Sequence, residues 1–264
     1  MCSSDLQAIE YVRELRFSKD DLAYLRSLKL FPEEFLDYLG EMRFTGDIDA
    51  VPEGTPIFPA EPIVRVKTSV AEAQLMETSL ANIINHQTLI ATKAARVMEA
   101  AGDTEVMEFG LRRAQGPDAG LYGSRAAFIG GCHSTSNVLA GQLYGIPVKG
   151  THAHSWVMSF PDELTAFQAY ADAYPNACLL LVDTYDTLRS GVPNAIRVAK
   201  ELEARGGKFL GIRLDSGDLA YLSKVSRKML DEAGLEHATI VASGDLDEDT
   251  IRDLRTQGAK IDSW

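Results

Sequence analysis

The sequence predicts an α/β fold built on parallel strands, and two observations carry that prediction. Three short apolar runs, at 179–182, 209–212 and 239–242, each end in a polar cluster and each lead into a helical pattern. The clusters also recur evenly: Asp183 to Arg213 and Asp215 to Asp245 are both steps of 30 residues. That step is one βα unit of a parallel barrel or a doubly wound sheet. Continuous apolar strands suit a sheet covered on both faces. In either architecture ligands bind at the carboxyl ends of the strands. The predicted site therefore contains Asp183, Arg213, Asp215 and Asp245.

Before these units the texture differs. Residues 11–45 read as short amphipathic helices, one capped by Ser18 ahead of Lys19 and another starting near Pro32. From Asp47 to Val66 five prolines and glycines (Pro52, Gly54, Pro56, Pro59, Pro62) punctuate β-prone runs such as 63–66, which suggests a small sheet. Ser69 and Glu72 form a candidate capping box for a helix carrying Met76, Leu80, Ile83, Ala91, Ala94 and Met98, ended by Gly102. The polar triplet Asn85-His86-Gln87 is expected to mark a break in it. His86 reads as an ordinary helix-surface histidine rather than a ligand contact.

Composition removes several classes of function. At 264 residues and 45% hydrophobic content the chain can bury one large core or two smaller ones. It has no run of about 18 apolar residues that would span a membrane. A net charge of −12 argues against nucleic acid as the main partner. Three cysteines without CxxC spacing fit a reducing cytoplasm better than a disulfide scaffold or a zinc site.

Three segments carry candidate chemistry. Residues 108–116 (EFGLRRAQG) follow a predicted strand and present Arg112 and Arg113, which read equally as phosphate-binding forks or as a solvated basic turn. Residues 130–137 (GGCHSTSN) form a hydroxyl-rich loop before a helix at 138–143, an anion cradle or a plain cap. Residues 149–157 (KGTHAHSWV) hold the sharpest feature. If extended, this segment places His152 and His154 on one face, with His154 near the strand's carboxyl end as nucleophile, acid, base or ligand. No third ligand at a recognisable spacing supports zinc.

Together the runs EFGLRRAQGPDAGLYGSR, GGCHSTSNVLAGQLYGIPVKGTHAHSWVMSF, LLLVDTYDTLRSG and GIRLDSGDL closely resemble the nicotinate phosphoribosyltransferase family, from about residue 8 to the last residue. The resemblance implies an incomplete, irregular TIM-like α/β barrel of the type II phosphoribosyltransferases over 105–264. Part of a mixed α/β domain would precede it over 7–104. It implies transfer of phosphoribosyl from phosphoribosyl pyrophosphate to nicotinate, coupled to ATP, with magnesium carried by the phosphates, usually in a homodimer. The family's phosphorylated histidine falls on His154, with Ser155 in the same pocket. A neutral imidazole that attacks ATP needs an acceptor to orient its other ring nitrogen, and Asp183 is expected to be that acceptor. His152 is expected only to pack beside His154. The phosphate-holding arginine of the family falls on Arg112, with Arg113 beside it, the pyridine-side arginine on Arg213, and a ribose or substrate contact on Asp215. Ser243, Gly244 and Asp245 match a ribose-binding segment. Ser136 aligns with the position where nicotinamide-using relatives carry an aspartate, which favours nicotinate.

The ends depart from the family pattern. Its opening TDLYQ-type segment and its glycine-rich phosphate loop find no counterpart. Residues 2–6 match nothing in the family, and one reverse translation, TGC TCT TCC GAT CT, spells a common sequencing adapter. Residues 1–6 are therefore expected to be a non-native start. The chain by itself is expected to be inactive and poorly soluble, with a hydrophobic sheet edge exposed at 260–262. Three competing readings are a nicotinamide or quinolinate phosphoribosyltransferase, a non-catalytic barrel fragment, and a barrel lyase using Arg213 and Asp215 on a phosphorylated sugar.

Overall fold

The computed structural model describes residues 5–264. The expectation of a non-native start therefore lies mostly outside the described residues. Helices α1 (Asp5–Glu14), α2 (Lys19–Ser27) and α3 (Glu33–Glu41) come first. Ser18 caps α2 with a full reciprocal capping box, its hydroxyl on the Asp21 N–H and the Asp21 carboxylate on the Ser18 N–H. Strands β1 (Asp47–Ala50) and β2 (Val64–Lys67) then pair antiparallel.

Helix α4 (Val70–Ala101) is 32 residues long and runs unbroken through the triplet that was expected to interrupt it. Its polar side chains are satisfied by tertiary partners and leave the backbone ladder intact. Buried Gln87 bonds Gln7 and Arg125, and His86 Nε2 lies 3.3 Å from the Ala119 carbonyl. The cap at Ser69 is one-sided. Its hydroxyl accepts from the Glu72 N–H at 3.3 Å, but the Glu72 carboxylate takes Thr45 and Thr68 and does not accept from the Ser69 backbone N–H. Met76 and Leu80 join Ala8 and Val12 in a small core, while Ala94, Ala100 and Ala101 enter the large one. One helix thus serves both cores.

The large core surrounds parallel strands. Strand β3 (Met107–Glu108) pairs with β4 (Ser134–Thr135), with α5 (Pro117–Ile129) between them. Helices α6 (Val138–Tyr144), α7 (His154–Met158) and α8 (Glu163–Ala173) lead to β5 (Cys178–Leu181). A π-helical turn at Thr187–Gly191 and α9 (Val192–Ala204) connect to β6 (Phe209–Leu214). Then α10 (Leu219–Glu232), β7 (Thr239–Ala242) and α11 (Glu248–Thr256) complete the order. The sheet runs β5-β6-β7, all parallel. The strands are buried on both faces, as their uninterrupted apolar runs require.

Isolated parallel bridges extend this sheet into an arc. Ser263 pairs with Val241 of β7 on one side and with Glu105, just ahead of β3, on the other, and Thr135 of β4 pairs with Val148. The expected exposed edge at 260–262 is corrected by this arrangement. The Ala242 N–H donates to the Ser263 carbonyl at 3.0 Å, Trp264 exchanges bonds of 2.8 Å with Glu105 and Met107, and Trp264 is buried. The terminal backbone is inserted between neighbours, so its polar groups are paired and not presented to solvent. Among the described residues the arc runs from Val148 round to β5 and leaves those two ends without a ladder between them. No helix among the described residues is long and apolar enough to cross a membrane.

Candidate active site

Arg213, near the carboxyl end of β6, organises the site. Its Nε donates to Ser243 Oγ at 2.7 Å, one terminal nitrogen to Thr151 Oγ1 at 2.8 Å, and the other to Asp215 Oδ1 at 2.7 Å. A planar fork with fixed donors can hold three partners in one plane, which a lysine cannot. The Phe109 ring lies against the guanidinium with its centroid 5.8 Å away. Burial works to raise the Asp215 pKa, but bonds from Ser243 and Arg213 outweigh it and hold the carboxyl below its ordinary range. Asp215 is therefore a carboxylate across the physiological range.

Beyond β7, Asp245 adopts a left-handed backbone, φ +54°, and its carboxylate meets Arg113 at 2.7 Å. Gly244 makes that turn possible. Its φ is +100°, and a Cβ there would stand 2.2 Å from the Asp215 carbonyl. Arg112, Arg113, Arg213, Asp215, Ser243 and Asp245 line one cavity of about 360 Å³, with Gly244 and Phe109 in its wall. Cys132 also borders it, but burial pushes its thiol up to about 12, so it stays neutral and unreactive.

The histidine pair departs from expectation. The chain turns at Ala153, the N-cap of α7, and His154 is the first helical residue. The two imidazoles therefore do not share a strand face. His154, 36% exposed at its side chain, places Nε2 3.1 Å from Asp183 Oδ1, and the Asp183 side chain is 2% exposed. The other Asp183 oxygen accepts from the Asp215 N–H at 2.9 Å and from Ser216 Oγ at 2.6 Å. His152 is buried, and its Nε2 accepts the Leu181 N–H at 3.1 Å, so it does more than fill space.

Two other expected residues stand apart from the cavity. Ser155 is exposed on the first turn of α7, because one helical step rotates it about 100° from His154. Ser136 is half-buried past the end of β4, its N–H on the Glu108 carbonyl at 3.0 Å, and its side chain does not line the arginine cavity. Four contributors have no role assigned from the sequence: Phe109, Thr151, Ser216 and Glu108, the last accepting from Thr135 Oγ1 at 2.6 Å beside the cavity. Thr151 and Ser216 flank named residues in KGTHAHS and RLDSGD, and that adjacency was the available signal. Among the described residues no three His, Cys, Asp or Glu side chains converge as a metal site.

Parallel strands with arginine, carboxylate and hydroxyl groups gathered at their carboxyl ends have the fold of the type II phosphoribosyltransferases, an α/β barrel incomplete here. Residues 5–85 match the nicotinate phosphoribosyltransferase N-terminal domain, and residues 104–261 match the nicotinate phosphoribosyltransferase family. The chain is 56% identical to a nicotinate phosphoribosyltransferase of Bacillus subtilis over 258 residues, covering 98% of this chain and 52% of that protein. Human nicotinic acid phosphoribosyltransferase superposes with a TM-score of 0.92 at 34% identity, over 99% of this chain and 64% of the human one. A nicotinate-nucleotide pyrophosphorylase from Pyrococcus furiosus follows at 0.73 and 25% identity, over 98% of this chain and 69% of that one. This chain belongs to the nicotinate phosphoribosyltransferase family. It spans about half the length of the curated relatives it matches.

Proposed function

We propose that this protein transfers the phosphoribosyl group of phosphoribosyl pyrophosphate to nicotinate, giving nicotinate mononucleotide and pyrophosphate, with ATP spent through a phosphohistidine at His154. The observation that carries the reading is the His154–Asp183 pair, 3.1 Å apart and joined through the Asp215 N–H to the arginine cavity. With Asp183 accepting from Nε2–H, the neutral imidazole keeps its lone pair on Nδ1. Nδ1 attacks the terminal phosphorus of ATP, an N–P bond forms, the P–O bond to ADP breaks, and Asp183 balances the imidazolium charge.

In the transfer step the C1–N bond to the pyridine nitrogen forms as the C1–O bond to pyrophosphate breaks, through an oxocarbenium-like state. Asp215 and Asp245 hold ribose hydroxyls and favour the positive charge, Ser243 and the Gly244 turn fix their positions, and Arg112 and Arg113 face the phosphate oxygens. Arg213 meets the nicotinate carboxylate, with the Phe109 ring beside it. Magnesium would enter with the substrate phosphates and would neutralise their charge, in keeping with a site whose acids are already paired. Buried free thiols at Cys132 and Cys178 support a cytoplasmic setting. Exposed Val138, Leu139 and Leu143 on α6 support a homodimer.

The test uses this chain completed to the length of its relatives. Product formation is measured with nicotinate, nicotinamide and quinolinate, with and without ATP, and the phosphate is located by mass spectrometry. Nicotinate should be preferred, ATP should stimulate, and His154 should carry the phosphate. Equal use of quinolinate without ATP, or phosphate on another residue, overturns the reading.

A further inference from the structure

Strand β5 ends the three-stranded sheet, yet its outer edge is buried. In a parallel ladder, alternate N–H groups point to opposite edges. The Val182 N–H reaches the Arg213 carbonyl on β6 at 3.2 Å, so the Leu181 N–H points outward, where no strand lies among the described residues. A buried N–H without an acceptor keeps the full penalty of its lost hydration. His152 Nε2 supplies the acceptor at 3.1 Å. Because a backbone N–H only donates, Nε2 must be unprotonated, which puts the ring proton on Nδ1, 3.5 Å from the Ala153 carbonyl.

The neighbouring contacts give this bond its consequence. Thr151, one residue before, accepts from Arg213 of β6, and His154, two residues after, meets Asp183 just past β5. One short segment is thus tied to two strands at three points, and His152 is the middle one. The ring is packed edge-on against Tyr170 of α8 with centroids 4.7 Å apart. Burial, then Arg213 and His154 across the site, push its pKa down to about 4, so it remains a neutral acceptor.

We propose that His152 is a positioning residue whose ring nitrogen stands in for a neighbouring strand at the edge of β5, setting the distance between Thr151 and His154 on one side and Arg213 and Asp183 on the other. This rests on the phosphohistidine reading above for its kinetic consequence, though not for the geometry. Misplacement of a reacting group by about 1 Å costs on the order of 100-fold in rate. His152→Gln retains an acceptor at the same reach from the backbone; His152→Leu fills the space and offers none.

The experiment compares wild type, His152→Gln and His152→Leu in the completed chain, with folded fraction fixed by circular dichroism. The rate of phosphate incorporation per folded molecule is measured at saturating ATP, and the imidazole nitrogens are observed by 15N NMR. His152→Leu should be slower by tenfold or more with half-saturation by ATP within twofold, and His152→Gln should stay within about threefold of wild type. The wild-type spectrum should show His152 protonated on Nδ1, and the His154 resonances should move in the Leu variant and not in the Gln variant. Equal rates for the two variants, or a loss confined to stability, overturn the proposal. Should wild type take up no phosphate, the phosphohistidine reading fails, and the NMR signatures alone decide for or against the clamp.

Discussion

Asp183 faces His154 with one carboxylate oxygen at 3.1 Å and holds the Asp215 N–H and the Ser216 hydroxyl with the other. A carboxylate can serve both sides because it is an acceptor at each oxygen. In Asp183→Asn only one oxygen remains. If it keeps the Asp215 and Ser216 bonds, the NH2 group turns to His154 and forces Nε2 to accept, which protonates Nδ1. Phosphate incorporation at His154 should fall by about 100-fold or more, with the reversed tautomer visible by 15N NMR. A change of less than threefold would remove Asp183 from the mechanism.

Arg213→Lys tests whether shape or charge matters in the cavity. A single ammonium cannot reproduce the bonds to Ser243, Thr151 and Asp215 together. Half-saturation for nicotinate should rise by about 10- to 100-fold, the worth of one charge-assisted contact, while that for phosphoribosyl pyrophosphate changes less. Ser136→Asp should act more weakly than this, because Ser136 lies outside the cavity wall. Initial rates at varied nicotinate decide the order.

Gly244→Ala forces a Cβ to 2.2 Å from the Asp215 carbonyl at a φ of +100°. Strain of this kind costs about 1–3 kcal/mol. Thermal unfolding should show the midpoint falling by several degrees, and ribose binding should weaken along with it. An unchanged midpoint with normal activity would mean the turn tolerates a side chain.

The buried His152 also makes stability depend on pH. Its folded pKa of about 4 lies below the ordinary value of 6.5, so the unfolded chain binds the extra proton between those two values. Stability contributed by the neutral ring is complete above pH 6.5 and is lost as pH falls towards 4, at up to about 1.4 kcal/mol per pH unit. Urea midpoints measured from pH 7 to 4 should drop more steeply in wild type than in His152→Gln. Parallel curves would show that His152 is not the titrating group.

The strand ends were legible in the amino-acid order because each one combines two local signals. An apolar run such as 179–182 demands burial on both faces, and the acid or arginine that follows it, Asp183 or Arg213, can stay charged only where the strand leaves the core. Two such units at equal spacing already dictate parallel strands with their polar ends together. The histidine segment was not legible in this way. Alternation in KGTHAHS predicts His152 and His154 side by side, but the hydrogen-bond partner of each ring lies at the end of β5 or just past it, 29 residues on, and the turn into α7 at Ala153 sends them to different partners. The same holds for α4, which continues through Asn85-His86-Gln87 because Gln7, Ala119 and Arg125 arrive from elsewhere to bond it. It holds again for Ser263 and Trp264, which lie between β7 and β3. Sequence by itself determined which groups must be buried and which charged groups end each strand. Only the tertiary structure decided which hydrogen bonds those groups make, because a hydrogen bond depends on the distance and direction of a partner remote along the chain.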